Sequence, residues 1–395
     1  MSGNVGGTRA VARTSAELPT ASDVLAASEP PTASDARLDL ILRPVAEGAA
    51  LGRDDLTTLV EATRQDPVPA RFVQETSGAA PDHRGTEQRI RTLRQVWPGF
   101  ARWWRSYFPG AATPVPVVEL WRLYLPLAGW IMAQKQRRRP DELYVMGFNG
   151  SPGAGKTVLT NALAVVLDEL LDTETQGRAV ARSGDHWYLG RGDRERLVAH
   201  GYDPGVPGVS NRALPGTHDL DWLLRNLHEM EHSHAHGVIR MANFDKKLDD
   251  HPSGPDRWFE VRGTVGVFLF DLWFAGADTT VDPASVPDGL RRRVAESLRS
   301  WRPVFDRMDA LWCFDWPSFE QMVREREAQE RLVEQRHGAR GMTRDQIRAF
   351  MTYMIDTAWD WQVTAPVPPD QAVTFRAWRD AAHRVVAVQR GGRTS

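Results

Sequence analysis

Eight consecutive residues carry the sharpest chemistry in the chain. Gly150-Ser151-Pro152-Gly153-Ala154-Gly155-Lys156-Thr157 fits G-x-x-x-x-G-K-[ST] in full. Glycines there let backbone N–H groups turn inward without Cβ clashes, and a helix starting at Lys156 adds the partial positive charge of its N-terminus. Lys156 is placed to reach the outer phosphates of a nucleoside triphosphate, and the Thr157 hydroxyl offers a ligand to Mg2+. The pattern predicts a site for ATP and Mg2+. A plain glycine-rich turn before a helix would not account for the complete pattern in its strand–loop–helix context. Lys156 is also one of only four lysines, with Lys135, Lys246 and Lys247, in a chain of 49 basic residues. A compact ammonium and a guanidinium fork are not interchangeable.

A GTPase should carry N-K-x-D for guanine and D-x-x-G after the phosphate loop. Neither occurs, and no transporter-type ATPase signature is visible, so small-molecule kinases and unclassified ATPases remain. Further segments narrow the choice. Ser183-Gly-Asp185-His-Trp-Tyr188 follows a predicted strand, which puts Asp185 at the edge where open α/β sheets gather their ligands. A strand-to-loop turn would also take an Asp there. Arg212-Ala-Leu-Pro-Gly-Thr-His218-Asp219 opens a helix, and Asp219 fits its N-cap. Asn243-Phe-Asp245-Lys246-Lys247 follows another strand, and Asp271 ends a third.

In series these segments resemble the D-glycerate 3-kinase family, within the uridine kinase and phosphoribulokinase-like P-loop kinases. Its patterns look like S-x-D-D-F-Y, R-G-x-P-G-T-H-D, P-R-[FY]-D-K and a strand ending E-G-W; here Phe268-Leu-Phe-Asp271-Leu-Trp273 takes the last place. Tyr124-Leu-Pro126 upstream is similar too. So are Pro317-Ser-Phe319, Arg326 with Gln329-Glu330, and Met342-Thr with Phe350, which extends the resemblance over roughly residues 95–375. It implies transfer of the ATP γ-phosphoryl to a hydroxyl of a small hydroxy acid or polyol, D-glycerate-like. It implies that Asp185 accepts the hydroxyl proton or organises Mg2+, and that Asp271 is a Walker-B-type carboxylate holding the metal with Thr157. Lys246 beside Asp245 resembles a charge clamp near the transferred phosphoryl. Arg212, His218 and Asp219 take the substrate-side loop, where a cation and a hydrogen-bonding pair suit a small hydroxy acid. Arg326 resembles a lid arginine that closes over the nucleotide, although a solvated charge on a charged helix would look the same.

The nucleotide half of the pattern is intact and the substrate half is edited. His186 stands for the family's second Asp, Asn243 for an arginine, Leu272 for a glycine, and Ile355 for a second arginine. Losing two cations weakens the case for a carboxylate held as in glycerate. The alternative is a P-loop nucleotide-binding protein with lost or reduced kinase activity that acts through partners.

Positioning these residues takes a parallel sheet with helices on both faces. Leu143–Phe148, Ala179–Arg182, Val238–Asn243, Val265–Phe270 and Ala310–Phe314 are short apolar strands. They alternate with helical patterns at Lys156–Leu171, Leu220–His232, Phe319–Gln335 and Arg344–Thr357. The expected fold is α/β. A disordered tail over 1–36, in which Pro-Thr-Ala-Ser-Asp occurs twice, leads into a helical N-terminal region over 37–140. A P-loop kinase core with a parallel sheet over 141–318 and a C-terminal helical lid region and tail over 319–395 follow. Within the N-terminal region, Leu120–Trp130 looks like a buried helix kinked at Pro126, and the basic run Lys135–Arg139 like a solvated helix end.

Composition bounds the rest. Forty-nine basic against 51 acidic residues leave no footprint of a nucleic-acid binder. The longest apolar run, Leu123–Ala133, is too short to cross a bilayer, and no secretory leader is visible. A single cysteine, Cys313, excludes an internal disulfide and suits the cytoplasm. His228-Glu-Met-Glu-His232 matches H-E-x-x-H, which in a zinc protease would make the two histidines ligands and Glu229 the base. Eleven histidines make a chance match easy, and the helix falls outside the sheet in the kinase reading.

Overall fold

The apolar runs become strands whose residues have no face to give to water. In chain order they are β1 (Tyr144–Asn149), β2 (Arg178–Ser183), β3 (Val238–Ala242), β4 (Trp258–Arg262), β5 (Val265–Asp271), β6 (Ala310–Phe314), β7 (Val373–Arg379) and β8 (Val385–Gly391). β1, β5 and β6 are buried along their whole length, as strands covered on both faces must be. The computed structural model describes residues 33–108, 115–235, 237–287, 289–337, 341–357, 372–380 and 383–391.

Six strands form one sheet in the order β2-β5-β1-β6-β7-β8. All neighbours are parallel except β7 and β8, which form an antiparallel pair at one edge. Side chains alternate across β1. Tyr144, Met146 and Phe148 point into one core with the N-terminal helices, while Val145 points into a second core. The first core is covered by α1 (Ala33–Ala46), α2 (Arg53–Gln65), α3 (Pro67–Ser77), α4 (His83–Tyr107), α5 (Leu125–Arg138) and α6 (Lys156–Leu170). α7 (Arg191–Val198) is a surface helix. α8 (Leu220–Glu231), α9 (Leu290–Arg299), α10 (Phe319–His337) and α11 (Arg344–Thr352) serve the second core.

Four features depart from the sequence reading. Helix α1 begins at Ala33, inside the stretch expected as a tail, and residues 1–32 lie outside the described residues. Leu120–Tyr124 is a π-helical turn, in which Leu125 N–H donates to the Leu120 carbonyl. Pro126 follows directly inside the continuous helix, and the widened π turn accommodates the hydrogen bond its ring cannot make. β3 does not join the sheet: it pairs antiparallel with β4 as a separate hairpin. The region after 319, expected as helical lid and tail, returns to the sheet as β7 and β8. Val373, Phe375 and Ala377 alternate with polar residues and bury one face in the first core.

Lys135 settles the basic run. Its buried ammonium donates to the carbonyls of Arg139, Pro140 and Glu142 at 3.0–3.2 Å, closing the C-terminal end of α5. Three convergent carbonyls suit a compact ammonium rather than a planar fork. Among the described residues no helix is long and apolar enough to cross a membrane.

Candidate active site

Three parallel strands end side by side. Phe148 of β1 and Ser183 of β2 both pair in register with Asp271 at the end of β5. The phosphate loop leaves β1 here. Its root, Asn149, is buried; its amide donates to the Ala275 carbonyl at 2.9 Å and accepts from the Trp316 indole at 3.2 Å. Gly153 has φ +89°, and a Cβ on it would come within 3.1–3.3 Å of Glu325 and the Arg326 nitrogen. Helix α10 therefore lies directly on the loop, and only glycine permits that approach.

Lys156 opens α6 and is buried. Its ammonium donates to the carbonyls of Gly150 at 2.8 Å and Ser151 at 3.0 Å. Burial pulls it down to about 8, against the attraction of Asp271 and Asp185. The Ser151 hydroxyl is buried without a partner, an open group in a cradle built for phosphate oxygens. Thr157 Oγ1 lies 3.4 Å from Asp271 Oδ1, and Thr160 Oγ1 lies 3.4 Å from Asp271 Oδ2. Burial pushes the Asp271 carboxyl up, with Lys156 opposing. The buried carboxylate and two hydroxyls are oxygen donors that fit Mg2+, and the Lys156 ammonium fits the phosphate beside it.

Asp185 sits on the 3-10 turn Gly184–Trp187 that follows β2. Its Oδ2 accepts from the Lys246 ammonium at 2.5 Å and its Oδ1 from the Tyr188 hydroxyl at 2.6 Å. Burial alone would raise this carboxyl; Lys246 and Tyr188 hold it well below the usual carboxylate range. Lys246 stands on a turn that Asp245 closes, its side chain accepting from Lys247 N–H at 2.7 Å. Arg212 clamps the same turn: it donates to the Lys246 carbonyl at 3.3 Å and pairs with Asp249 at 3.3 Å.

A cavity of about 490 Å³ brings together the phosphate loop from Pro152 to Thr157, Asp185, Arg212, Lys246, Asp271 and Arg326. Arg326 pairs with Glu330 at 2.5 Å, and its Nε is buried without a partner. Gly150 and Ser151, the first two residues of the loop, do not line this cavity. Three further expected site residues also lie off its wall. His218 is a core ring, packed 4.5 Å from Tyr188 and 5.1 Å from Trp301. Burial lowers it to about 4 and keeps it neutral. Asp219 caps α8 through Trp222 N–H at 2.8 Å and faces a second cavity. Asp245 shapes its turn.

The edited positions also fall outside the cavity. Asn243 donates to the Asp256 carbonyl at 2.8 Å and accepts from Arg182 at 3.3 Å. Ile355 is buried in the second core, and Phe350 and Met354 line the cavity instead. Sequence reasoning missed Thr160, Tyr188 and Asn149 as site residues. Thr160 lies one helical turn after Thr157, a spacing that puts both on one face.

The H-E-x-x-H segment does not form a protease centre. His228 and His232 come together with Glu231, whereas Glu229 accepts from Asn226 at 2.8 Å. Both histidines are exposed.

No family model matches the chain. A curated relative, an uncharacterized kinase mug58 of Schizosaccharomyces pombe, is 24% identical over 234 residues, covering 56% of this chain and 81% of that one. Among solved structures, D-glycerate 3-kinase from Cryptococcus neoformans var. grubii superposes with a TM-score of 0.51 at 18% identity, covering 67% of this chain and 98% of the other. The YGR205w protein superposes with a TM-score of 0.53 at 17% identity, with the same two coverages. The resemblance carried by the motifs is thus carried by the backbone as well: the chain has the P-loop kinase fold that D-glycerate 3-kinase has.

Proposed function

We propose that the protein transfers the γ-phosphoryl of ATP to a hydroxyl of a small polyol or hydroxy acid. The observation that supports this most is that one cavity holds both a complete phosphate loop and the Asp185–Lys246 pair. A hydrolase needs only the first; a carboxylate and a second ammonium beyond the outer phosphate suit an organic acceptor.

In this reading Lys156 leaves the Gly150 and Ser151 carbonyls for the outer phosphates. Thr157 and Asp271 would hold Mg2+, which would supply neutralisation of the phosphate charge. Asp185 orients the acceptor hydroxyl and takes its proton. Departure of Lys246 toward the transferred group raises the proton affinity of this carboxylate as the hydroxyl attacks. Lys246, released from Asp185 as that proton arrives, faces the transferred group. Arg326 exchanges Glu330 for the nucleotide.

The acceptor end bears on specificity. Arg212 is matched by Asp249 and Lys246 by Asp185, while Trp273, Phe350 and Met354 supply apolar wall. A carboxylate there must compete with existing ion pairs. We therefore place D-glycerate below larger or less acidic acceptors. ADP release from MgATP over a panel of hydroxy acids, polyols, sugars and nucleosides tests this. D-glycerate giving the highest kcat/KM would overturn the specificity, and no acceptor-dependent release would overturn the activity.

A further inference from the structure

The H-E-x-x-H segment takes no part in phosphoryl transfer, and the fold draws from it a different set of residues than a protease would use. His228, Glu231 and His232 each offer a ligand atom, and these three atoms lie within 4.8 Å of one another. Among the described residues no other group of three or more histidines, cysteines or carboxylates comes together in this way. Tetrahedral ligands about 2.0–2.1 Å from a zinc ion stand about 3.3 Å apart, so small side-chain rotations close the set.

The surroundings hold these ligands ready. The two imidazoles stand one helical turn apart with ring centroids 4.2 Å from each other. His232 Nδ1 lies 2.9 Å from the His228 carbonyl, which can only accept, so Nδ1 carries the proton and Nε2 keeps its lone pair for a metal. Glu231 Oε1 accepts from Arg307 at 2.8 Å, on the turn before β6; this orients the carboxylate and leaves its other oxygen open. Ser233 is buried and accepts from Val265 N–H at 2.8 Å, which ties the end of α8 to the start of β5. The last carbonyls of a helix carry partial negative charge, so this end of α8 favours a cation.

We propose that His228, Glu231 and His232 form a zinc site at the C-terminal end of α8, separate from the oxygen donors around Asp271. Two imidazoles and one carboxylate suit zinc, whereas Mg2+ prefers oxygen ligands alone. Glu229, the base of a hydrolytic site, is held by Asn226 instead, so the ion serves as a clip. Through Glu231 and Arg307 it fastens the end of α8 to the turn before β6, and water completes its coordination on the exposed side.

The site stands independently of the phosphoryl-transfer proposal, and its test needs no turnover. Calorimetry on the full chain with zinc chloride is run in excess Mg2+, which competes for the oxygen donors at Asp271. Wild type should bind one zinc ion per chain. His228→Ala and His232→Ala each remove an exposed ligand and should weaken binding about tenfold or more, the least that losing even an outer-shell partner costs. Glu231→Gln keeps an acceptor for Arg307, removes the carboxylate, and should weaken zinc in the same way. Melting in EDTA, equal for wild type and variants, shows that the variants fold; added zinc should then raise the melting temperature of wild type but not of the variant lacking both histidines. No binding by wild type overturns the site. So does equal affinity in any of the three single variants, which would mean adventitious binding elsewhere or a different ligand set.

Discussion

Lys246 Nζ lies 2.5 Å from Asp185 Oδ2, and Tyr188 donates to the other oxygen of the same carboxylate at 2.6 Å. The pair joins two segments far apart in sequence, the turn after β2 and the turn after β3. It keeps Asp185 ionised and Lys246 aimed at the phosphate loop. In the proposed reaction one point charge serves a carboxylate and then a phosphoryl group, a task that suits a compact ammonium better than a guanidinium fork.

Replacing Asp185 by Asn keeps its size and removes its charge. ATP affinity should survive, and acceptor-dependent turnover should fall by roughly 10²–10⁴, the worth of a positioned proton acceptor. Calorimetry and steady-state kinetics on the same preparation check this. A loss below tenfold would make Asp185 a turn residue.

Lys156 gives a pH signature. In the free protein it is held down to about 8, so it loses its proton as pH rises through 8. Bound phosphates favour the ammonium, so nucleotide binding above pH 8 should draw a proton from buffer, and affinity should fall as pH rises further. Calorimetry at pH 8.5–9 in buffers of different ionisation enthalpy reads the uptake. Lys156→Ala should abolish the uptake and phosphoryl transfer without unfolding the protein; equal uptake in the variant would reassign the proton.

Ala213 lines the cavity with φ +86°, a backbone state costly for a residue with a Cβ, and its carbonyl accepts from Trp273 at 2.9 Å. The family's pattern has glycine at this place. Ala213→Gly should stabilise the protein by about 1 kcal/mol through relief of that conformation. A denaturant midpoint that stays or falls would show the strain is absent.

The phosphate loop was legible from its own spacing, and Asp271 and Asp185 from their places at strand ends; Lys246 and Arg326 were named only through the resemblance, because a loop lysine and a mid-helix arginine carry no local sign of the cavity they line. Asp219 was legible as a helix cap from its place at a helix start. His218 was not: its neighbours Phe274 and Trp301 come from distant segments, so its burial is a tertiary fact. The strands β7 and β8 have readable alternation, Val373-Thr-Phe-Arg-Ala377, but short strands after a helical lid give no sign of which sheet edge they join.

The central claim is group transfer, and one measurement meets it directly. ATP carrying ¹⁸O in its γ-phosphoryl is incubated with the protein, Mg2+ and the acceptor panel, and all phosphorylated products are weighed by mass spectrometry. The account predicts the label in an organic phosphomonoester, formed one-to-one with ADP. Label found only in inorganic phosphate, or ATP left intact with every acceptor, would contradict it.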